Sequence, residues 1–160
     1  MTQKTFMMLK PDAFASNNAQ SVLNDLEKAG LHIVRGQKLE VNMEIMKTLM
    51  EHYSGVIDSM DKGFNFPGKM FNSFYYEGPH HIMPMEIAYD GSEDIIEYSR
   101  ALVGKTNPQD AAEGTIRHLY SDDNYDKATA GVRLVNNVIH ASDSHESAQR
   151  ELEIWEAYLK

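Results

Sequence analysis

The sequence predicts an α+β fold: an antiparallel sheet with helices on one face, together with accessory helices. Three observations predict this class. Apolar runs of strand length recur along the chain, apolar residues at helical spacing stand between them, and glycine, proline or asparagine marks most joints. The 160 residues contain no evident linker or internal repeat, so residues 1–160 are interpreted as a single domain.

The first part of the chain has the pattern strand, helix, strand, helix. The apolar run 5–9 is predicted to be a strand that ends before Pro11, because proline cannot donate a ladder hydrogen bond. Apolar residues at helical spacing over 22–30, with a closing glycine, predict a helix. Partial alternation over 31–39 predicts the second strand, and a helix capped by an asparagine is expected over 42–53.

The middle of the chain is less regular. Residues 54–77 form either a long loop or a helical hairpin, and the pattern favours neither. Residues 81–88 are predicted to form the third strand, in which Pro84 indicates an edge position or a bulge. A helix is expected to follow, capped by Ser92 and ended by Gly104.

The last part of the chain completes the order of elements. The polar run 122–127 predicts a mobile surface loop that is not part of the catalytic machinery, and 134–139 predicts the fourth strand. The final helix is expected to begin near Ser144, since Asp143 and Glu146 have the spacing of a capping box. Without the accessory helices the order is β-α-β-β-α-β, which is the ferredoxin-like arrangement.

Composition and charge exclude several classes of function. The absence of cysteine excludes disulfides, thiolate metal sites and thiol nucleophiles; it is consistent with a reducing compartment, and we expect a cytoplasmic location. A net charge of −9 disfavours nucleic acid or an anionic membrane as a partner, because both would be repelled. It does not exclude a small anionic ligand held in a locally cationic pocket. No apolar run is long enough for a membrane span, and no leader is evident.

His140 is the first candidate for chemistry. It lies at the joint between a predicted strand and a helix start, where free backbone N–H groups attract anions. Glu151 lies seven residues beyond Ser144 and therefore on the same helical face. Its carboxylate could hold the proton on one ring nitrogen and leave the other free as a nucleophile. The plainer alternative is a histidine at a strand end that is satisfied by a neighbour.

Cations and small polar residues form the second set of candidates. Lys10 follows the first strand, Arg117 lies in a loop-like segment, and Arg100 lies within a predicted helix. Lysine binds phosphate as a point charge and arginine as a two-pronged fork, although each residue could equally be a solvated surface group. Thr106 and Asn137 are small polar residues that could complete such a pocket.

Several ordered motifs add to the interpretation of these residues as a phosphate-binding site. The segment NVIHASDS at 137–144 resembles the N-x-x-H-G-S-D-S signature of the nucleoside diphosphate kinase family. The resemblance covers most of the chain. Its other segments are TFMMLKPD at 5–12, EHY at 51–53, EGP at 77–79, RALVGKTNP at 100–108, GTIR at 114–117 and SHESAQRE at 144–151.

The resemblance implies an enzyme that transfers the γ-phosphoryl group of a nucleoside triphosphate to a nucleoside diphosphate, through a phosphohistidine and with Mg²⁺. It implies low base specificity, with the base stacked on an aromatic residue, and a homo-oligomer that is a hexamer or a tetramer. The roles implied by the matching motifs are His140 as nucleophile, Ser142 and Glu151 as its orienting groups, Asp143 near the metal through water, and Lys10, Tyr53, Arg100, Thr106, Arg117 and Asn137 as contacts of phosphate and ribose.

The chain also departs from the family pattern. Ala141 replaces the glycine after the histidine, which would matter if the backbone needed a positive φ there. The segments 54–77 and 120–131 are longer than the pattern. The stacking residue is therefore open among three candidates: Phe64, Phe66 and Phe71.

The departures leave alternatives to an active kinase. One is a catalytically weak relative that binds nucleotide or a partner, and another is a ferredoxin-like binding or assembly module in which the His140 cluster only caps a helix. The active enzyme is the favoured interpretation, because the histidine, the lysine, both arginines and the orienting glutamate are all present.

Overall fold

The computed structural model describes residues 2–160. The strands are Gln3–Leu9 (β1), His32–Gly36 (β2), Leu39–Glu40 (β3), His81–Tyr89 (β4) and Ile139–Ala141 (β5). The α-helices are Pro11–Ala15 (α1), Ala19–Lys28 (α2), Met43–His52 (α3), Ser54–Ser59 (α4), Phe66–Phe74 (α5), Ile95–Val103 (α6), Ile116–Tyr120 (α7), Tyr125–Ala130 (α8) and His145–Trp155 (α9). Single 3₁₀ turns occupy Lys62–Phe64, Pro108–Asp110 and Glu156–Tyr158. Within the described range, no helix has the length and apolar character needed to cross a membrane.

The sheet has the strand order β2-β4-β1-β5, and each neighbouring pair is antiparallel. The short strand β3 pairs with the beginning of β4. In the middle of the sheet, Met7 of β1 lies opposite Met85 on one side and Ala141 on the other. This interleaved order of two β-α-β units confirms the predicted ferredoxin-like arrangement.

Alternation along β1 separates two hydrophobic cores. Met7 and Leu9 are fully buried in the core that includes residues of α2 and α6, which are the two helices of the β-α-β-β-α-β unit. Phe6 and Met8 are fully buried in the other core, with residues of the accessory helices α3 and α5 and with Trp155. Both faces of β1 are packed against a core, so the end of the strand is held rigidly. This fixes the backbone position of the next residue, Lys10.

Two expectations about the strands need correction. The predicted second strand is two strands, with a break between β2 and β3. Pro84 lies in β4, a central strand and not an edge. It faces Met8 of β1, but β2 pairing stops at Met85 and β3 pairing begins at Ile82, so Pro84 has no registered partner on that side. The proline is therefore tolerated because it lies in the gap between the pairing of β4 with β2 and its pairing with β3. Alternation in the sequence does not reveal this gap.

Two predicted helix caps are wrong. Asp94, not Ser92, caps α6, because its carboxylate accepts hydrogen bonds from the amides of residues 96 and 97. Helix α9 begins at His145 as expected, but its cap is Ser144, whose hydroxyl accepts from the amide of residue 147 at 3.0 Å. The capping box expected from Asp143 is absent, and that carboxylate is exposed beside the helix start.

The fourth strand begins later than predicted, at Ile139. Over 134–138 the backbone amides bond to side chains instead of a strand partner, among them Leu134 N–H to Ser73 Oγ at 2.9 Å and Asn136 N–H to Asp123 Oδ2 at 2.7 Å. These bonds hold the segment in an irregular path directly before the sheet. Only three residues are left to pair with β1.

The two long segments are both helical. Residues 54–77 are largely helical and not a long loop: α4 and α5 are joined by the 3₁₀ turn Lys62–Phe64, and this segment is called the α4–α5 hairpin. The run 122–127 is mostly exposed, as expected, but it is not a loop throughout, since α8 begins at Tyr125 and Asn124 caps it. Asp123 is the exception to the exposure: it is buried and forms an ion pair with Arg133 at 2.5 Å. The sequence pattern did not reveal this burial, because the partner Arg133 lies outside the run.

Candidate active site

His140 is the middle residue of β5, and its ring is held from behind by Glu151 of α9. The atoms His140 Nε2 and Glu151 Oε1 are 2.8 Å apart. The same carboxylate oxygen lies 2.8 Å from the hydroxyl of Ser142, which is also 3.1 Å from the Phe6 carbonyl. Because a carboxylate only accepts, Nε2 carries the proton and Nδ1 of the neutral ring keeps its lone pair. The predicted contact between His140 and Glu151 is confirmed.

Aromatic side chains enclose the other sides of the His140 ring. The ring centroid lies 4.5 Å from that of His52, 5.9 Å from that of Phe6 and 6.1 Å from that of Tyr53. Only 20% of the His140 side chain is exposed, and it lines a cavity of about 900 Å³. The imidazole is thus held in place by its neighbours and is open toward this cavity.

That cavity brings the sequence-predicted residues together. Ser142 is buried, contacts Glu151 and does not line the cavity. The predicted residues that line the cavity are Lys10, Tyr53, Arg100, Thr106, Arg117, Asn137, His140, Asp143 and Glu151.

Lys10 and Arg117 form a buried cationic floor. The Lys10 ammonium donates to Asn137 Oδ1 at 2.7 Å and to a backbone carbonyl at 3.1 Å, and burial lowers its pKa to about 8. The Arg117 guanidinium donates to the carbonyls of Gly104 at 3.0 Å and Ile139 at 2.6 Å. Burial, and then the charge of Arg100, lowers the pKa of Arg117 to about 10. Neither cation forms an ion pair with a carboxylate of residues 2–160. An anion in the cavity would therefore stabilise the charged form of both side chains.

Asn137 and Arg100 complete this floor in different ways. The Asn137 amide is buried and ties three segments together, since it accepts from Lys10 and donates to the Thr106 carbonyl at 2.9 Å. Arg100 extends from α6 and is exposed, with one long contact of 3.5 Å to the Ala141 carbonyl. Asn137 is therefore fixed, whereas Arg100 is free to reach a ligand.

A strained residue positions the segment before His140. Val138 has a φ of +60°, which is unfavourable for a β-branched side chain, and the amide of Ile139 closes a tight turn on the Asn137 carbonyl at 2.7 Å. The turn is held from the other side, where Val138 N–H donates to Asp12 Oδ2 at 3.0 Å and its carbonyl accepts from Lys10 N–H at 2.8 Å. Such strain persists only where surroundings enforce it.

The substitution of alanine for the family glycine does not disturb this turn. Ala141 has no positive φ; it lies in β5 opposite Met7. The left-handed residue of the segment is Val138, three positions earlier. The sequence analysis missed both Val138 and its partner Asp12, for which the only signal was a carboxylate close behind Lys10.

His52 is a further residue that the sequence analysis did not assign. Its Nδ1 lies 3.0 Å from the indole nitrogen of Trp155, and burial, then the proximity of His140 and Arg150, lowers its pKa well below the usual value. Nitrogen and oxygen atoms of His52, His140 and Glu151 lie within 4.8 Å of one another, a spacing that could hold a metal. The indole N–H only donates, however, so it uses the Nδ1 lone pair and leaves the proton on Nε2, where no lone pair remains for a metal.

The outer wall of the cavity comes from the two long segments. The α4–α5 hairpin contributes the apolar side chains of Val56, Met60 and Phe64, and α8 contributes Tyr125 and Thr129. Most of these side chains are exposed. The segment around 122–127 therefore adjoins the cavity through Tyr125; that it takes no part in catalysis stays a prediction.

The three candidate stacking residues differ in position. Phe64 lines the cavity and is 37% exposed, with the ammonium of Lys69 3.5 Å from its ring centre. Phe66 also lines the cavity but is buried and packs on Tyr53 at 5.7 Å. Phe71 does not line the cavity and packs on Tyr75 at 5.0 Å. Of the two that line the cavity, Phe64 is the exposed one.

The charge of the cavity is opposite to that of the chain. Five cationic side chains and two carboxylates line it, although the whole chain has a net charge of −9. The cations are Lys10, Arg100, Arg117, Arg133 and Arg150, and the carboxylates are Asp143 and Glu151. A fixed imidazole with a free nitrogen in a cavity lined by cations is the arrangement that a phosphotransferase acting through histidine requires.

Comparison with known proteins agrees with this class. The family model described as "Nucleoside diphosphate kinase" matches residues 3–157, and the chain belongs to the nucleoside diphosphate kinase family. It is an enzyme of nucleotide phosphotransfer. A nucleoside diphosphate kinase of Staphylococcus epidermidis is 37% identical over 153 residues, which cover 96% of this chain and 87% of the relative. One of Methanosphaera stadtmanae is 36% identical over 158 residues, covering 97% and 86%.

Solved structures show the same fold. The nucleoside-diphosphate kinase of Borrelia burgdorferi, described as a transition state mimic with bound vanadate and ADP, has a TM-score of 0.83 at 25% identity and covers 99% of this chain and 90% of its own. An NDP kinase of Pyrobaculum aerophilum has a TM-score of 0.76 at 27% identity, with all of both chains covered.

Proposed function

We propose that this enzyme transfers the γ-phosphoryl group of a nucleoside triphosphate to a nucleoside diphosphate through phosphorylated His140. One observation carries the proposal: Glu151 holds Nε2 at 2.8 Å, so the other ring nitrogen is left as a nucleophile beside a cationic cavity. The bound ADP and vanadate of the Borrelia burgdorferi kinase support the choice of ligand.

The reaction has two half-reactions that use one site. In the first, the Nδ1 lone pair of His140 forms a bond to the γ-phosphorus, and the bond to the oxygen bridging the β- and γ-phosphates breaks, so the nucleoside diphosphate leaves with both electrons. In the second, a terminal oxygen of another diphosphate attacks that phosphorus and the N–P bond breaks. Glu151 keeps the proton on Nε2 and offsets the positive charge of the phosphorylated ring.

The side chains of the cavity have distinct roles in binding. Lys10 and Arg117 would neutralise the transferring phosphoryl group from the buried floor, and Arg100 would reach the outer phosphates. Burial raises the pKa of the Tyr53 hydroxyl, which therefore acts as a neutral donor. Asn137 would fix Lys10 and, with Thr106, contact ribose or phosphate. Ser142 would orient Glu151.

A nucleotide kinase generally uses a divalent metal, and we propose Mg²⁺. The donors fit this ion, because Mg²⁺ prefers oxygen ligands, keeps several waters and binds nucleotide phosphates. Asp143 offers an exposed carboxylate in the cavity, whereas the carboxylate of Glu151 is engaged by His140 and Ser142. Asp143 would hold the ion through water. When bound, the ion supplies charge neutralisation on the phosphates.

Base specificity is proposed to be low. An exposed Phe64 ring can stack on any base, and stacking discriminates weakly between bases, unlike hydrogen bonds to a base edge. ATP, GTP and their deoxy forms are therefore expected to serve as donors within a modest range. A preference for one base above about a thousandfold, roughly 4 kcal/mol, would show that side chains of the outer wall form hydrogen bonds to the base edge.

The catalytically weak alternative is not favoured, because the geometry of the site is intact around His140. We propose a cytoplasmic homo-oligomer, a hexamer or a tetramer, without nucleic-acid or membrane partners. Analytical ultracentrifugation would test the assembly. A monomer at micromolar concentration would contradict this part of the proposal.

The proposed reaction is tested by incubation with γ-labelled ATP and Mg²⁺. The wild type should acquire one acid-labile label per chain and release it to added nucleoside diphosphate. His140→Ala should fold and acquire none. The matched control is His118→Ala, because His118 is exposed on α7 and should leave labelling unchanged. Labelling of folded His140→Ala at the wild-type rate would overturn the proposal.

A further inference from the structure

His52 is a buried titratable residue with no part in the proposed reaction. It is the last residue of α3 and only 5% exposed. The indole N–H of Trp155 donates to its Nδ1 at 3.0 Å across 103 positions of sequence. A neutral ring whose Nδ1 accepts must carry its proton on Nε2. Trp155 therefore selects the tautomer of His52.

The resulting Nε2–H has no hydrogen-bond partner within residues 2–160 and is closed off from solvent. A buried donor without a partner is costly, so its presence calls for a physical reason. The carbonyl of His52 is satisfied, because it accepts from Arg150 at 3.2 Å. Among the two ring nitrogens and the carbonyl of His52, the ring Nε2–H is the one left without a partner.

The neighbours of His52 suggest that reason. Its ring meets the His140 ring edge to face, with centroids 4.5 Å apart and planes at 77°. A polar ring atom of His52 also lies within 4.8 Å of the polar atoms of His140 and Glu151. If His52 were charged or free to rotate, its N–H would compete with His140 for the Glu151 carboxylate.

We propose that His52 is a positioning residue: its neutral ring, locked by Trp155, supports His140 edge to face and leaves Glu151 as the polar partner of His140 Nε2. This proposal rests on the proposed function and adds a residue to it. A cation beside His140 would oppose the positive charge that forms on its ring as the N–P bond forms. A dry, uncharged neighbour avoids this repulsion.

The groups that face His52 set its charge state. Burial has the largest effect and is followed by the charges of His140, from β5, and Arg150, from α9; all three lower the pKa of His52. The carboxylate of Glu151, from α9, lies within 4.8 Å of a ring nitrogen of His52, and a negative charge there favours a protonated ring. Tyr53 contacts the ring at 4.5 Å and carries a hydroxyl whose pKa is raised, so it remains neutral. His52 is thus expected to stay uncharged wherever the enzyme is active.

Three variants test the proposal by single-turnover phosphorylation across a range of pH. His52→Ala removes the ring that supports His140 edge to face, and phosphorylation is expected to slow about tenfold or more while the nucleotide Kd changes less than twofold. His52→Phe, which keeps an uncharged aromatic ring, should recover most of that rate. Trp155→Phe removes the indole N–H together with part of the buried ring volume. It should act near the wild-type rate at pH 8, and the acidic limb of its pH–rate profile should move to higher pH as His52 becomes protonated. His118→Ala is the matched control.

Nitrogen NMR of the histidine rings supplies a readout that a purely structural role would not move. In the free wild type, both His52 and His140 should be Nε2–H tautomers. Trp155→Phe should give His52 mixed tautomers, and His52→Ala should weaken the preference of His140. If His52→Ala and Trp155→Phe both kept wild-type rates, pH profiles and His140 signals, the proposal would be overturned. Trp155→Phe retains the test if His52→Ala fails to fold.

The two proposals fail in different ways. Absence of label on wild-type His140 would refute the proposed function, whereas the tautomers of the free enzyme would still decide the role of His52. A wild-type His52 that carries its proton on Nδ1 would refute the positioning role directly.

Discussion

The inner and outer ends of the cavity are built differently. At the inner end, Lys10, Arg117 and Asn137 are buried, and hydrogen bonds from separate elements fix each of them. At the outer end, the α4–α5 hairpin and α8 present exposed apolar side chains, such as Phe64 and Tyr125. The difference indicates a division of labour, in which the inner end determines the rate of phosphoryl transfer and the outer end determines how tightly the nucleotide is held.

The inner end is also strained and electrostatically unfavourable without a ligand. Buried cations stand close together, and Val138 is held at a positive φ by its bonds to Lys10 and Asp12. A preorganised site of this kind can stabilise developing charge without reorganisation during the reaction. The outer end has none of these features, so substitutions there should be tolerated better.

The largest effect is expected for Lys10→Met, which removes a buried charge but preserves most of the side-chain volume. The single-turnover rate of phosphorylation should fall about a hundredfold or more, because the transferring group loses a fixed cation. Lys47→Met is the matched control, since Lys47 is exposed on α3 and pairs only with Glu44. Equal rates for the two variants would contradict the claim that the buried cation, unlike the exposed one, contributes to phosphoryl transfer.

The second effect is an alkaline limb in the wild-type pH profile. The pKa of Lys10 is lowered to about 8, so the free enzyme loses this charge as pH rises through about 8, and kcat/KM should fall about tenfold per unit beyond it. A bound anion favours the charged form, so the limb in kcat should lie at higher pH. Nucleotide phosphates ionise near pH 6 and do not titrate in this window. A kcat/KM that stays flat to pH 10 would contradict the role of Lys10.

The smallest effect is expected at the outer end. Phe64→Ala should raise KM about fivefold, which is roughly 1 kcal/mol of stacking, and leave the single-turnover rate at saturation unchanged. Phe71→Ala is the matched control, because Phe71 is equally exposed but does not line the cavity. A fall in the saturated rate of Phe64→Ala would show that the two ends are not separable.

Local pattern was sufficient for the order of the main strands and helices, although not for all their bounds, and for the contact between His140 and Glu151 that a motif spans. The spacing of Ser144 and Glu151 on one helix was enough to predict the bond to His140. Features created by distant contacts had no local signal. Trp155 reaches His52 from 103 positions away, and Asp12 bonds Val138 from 126 positions away. Helix α8 was missed for the same reason, since Arg133 pairs with a carboxylate ten positions earlier in a run that looked merely polar.

The most direct test of the central claim is the site of phosphorylation within the His140 ring. The bond between Glu151 and Nε2 leaves Nδ1 as the nucleophile, so phosphorus-coupled nitrogen NMR of the labelled phosphoenzyme should place the phosphoryl group on Nδ1 of His140, with the proton still on Nε2. Phosphorus on Nε2, or on any other residue, would contradict the account.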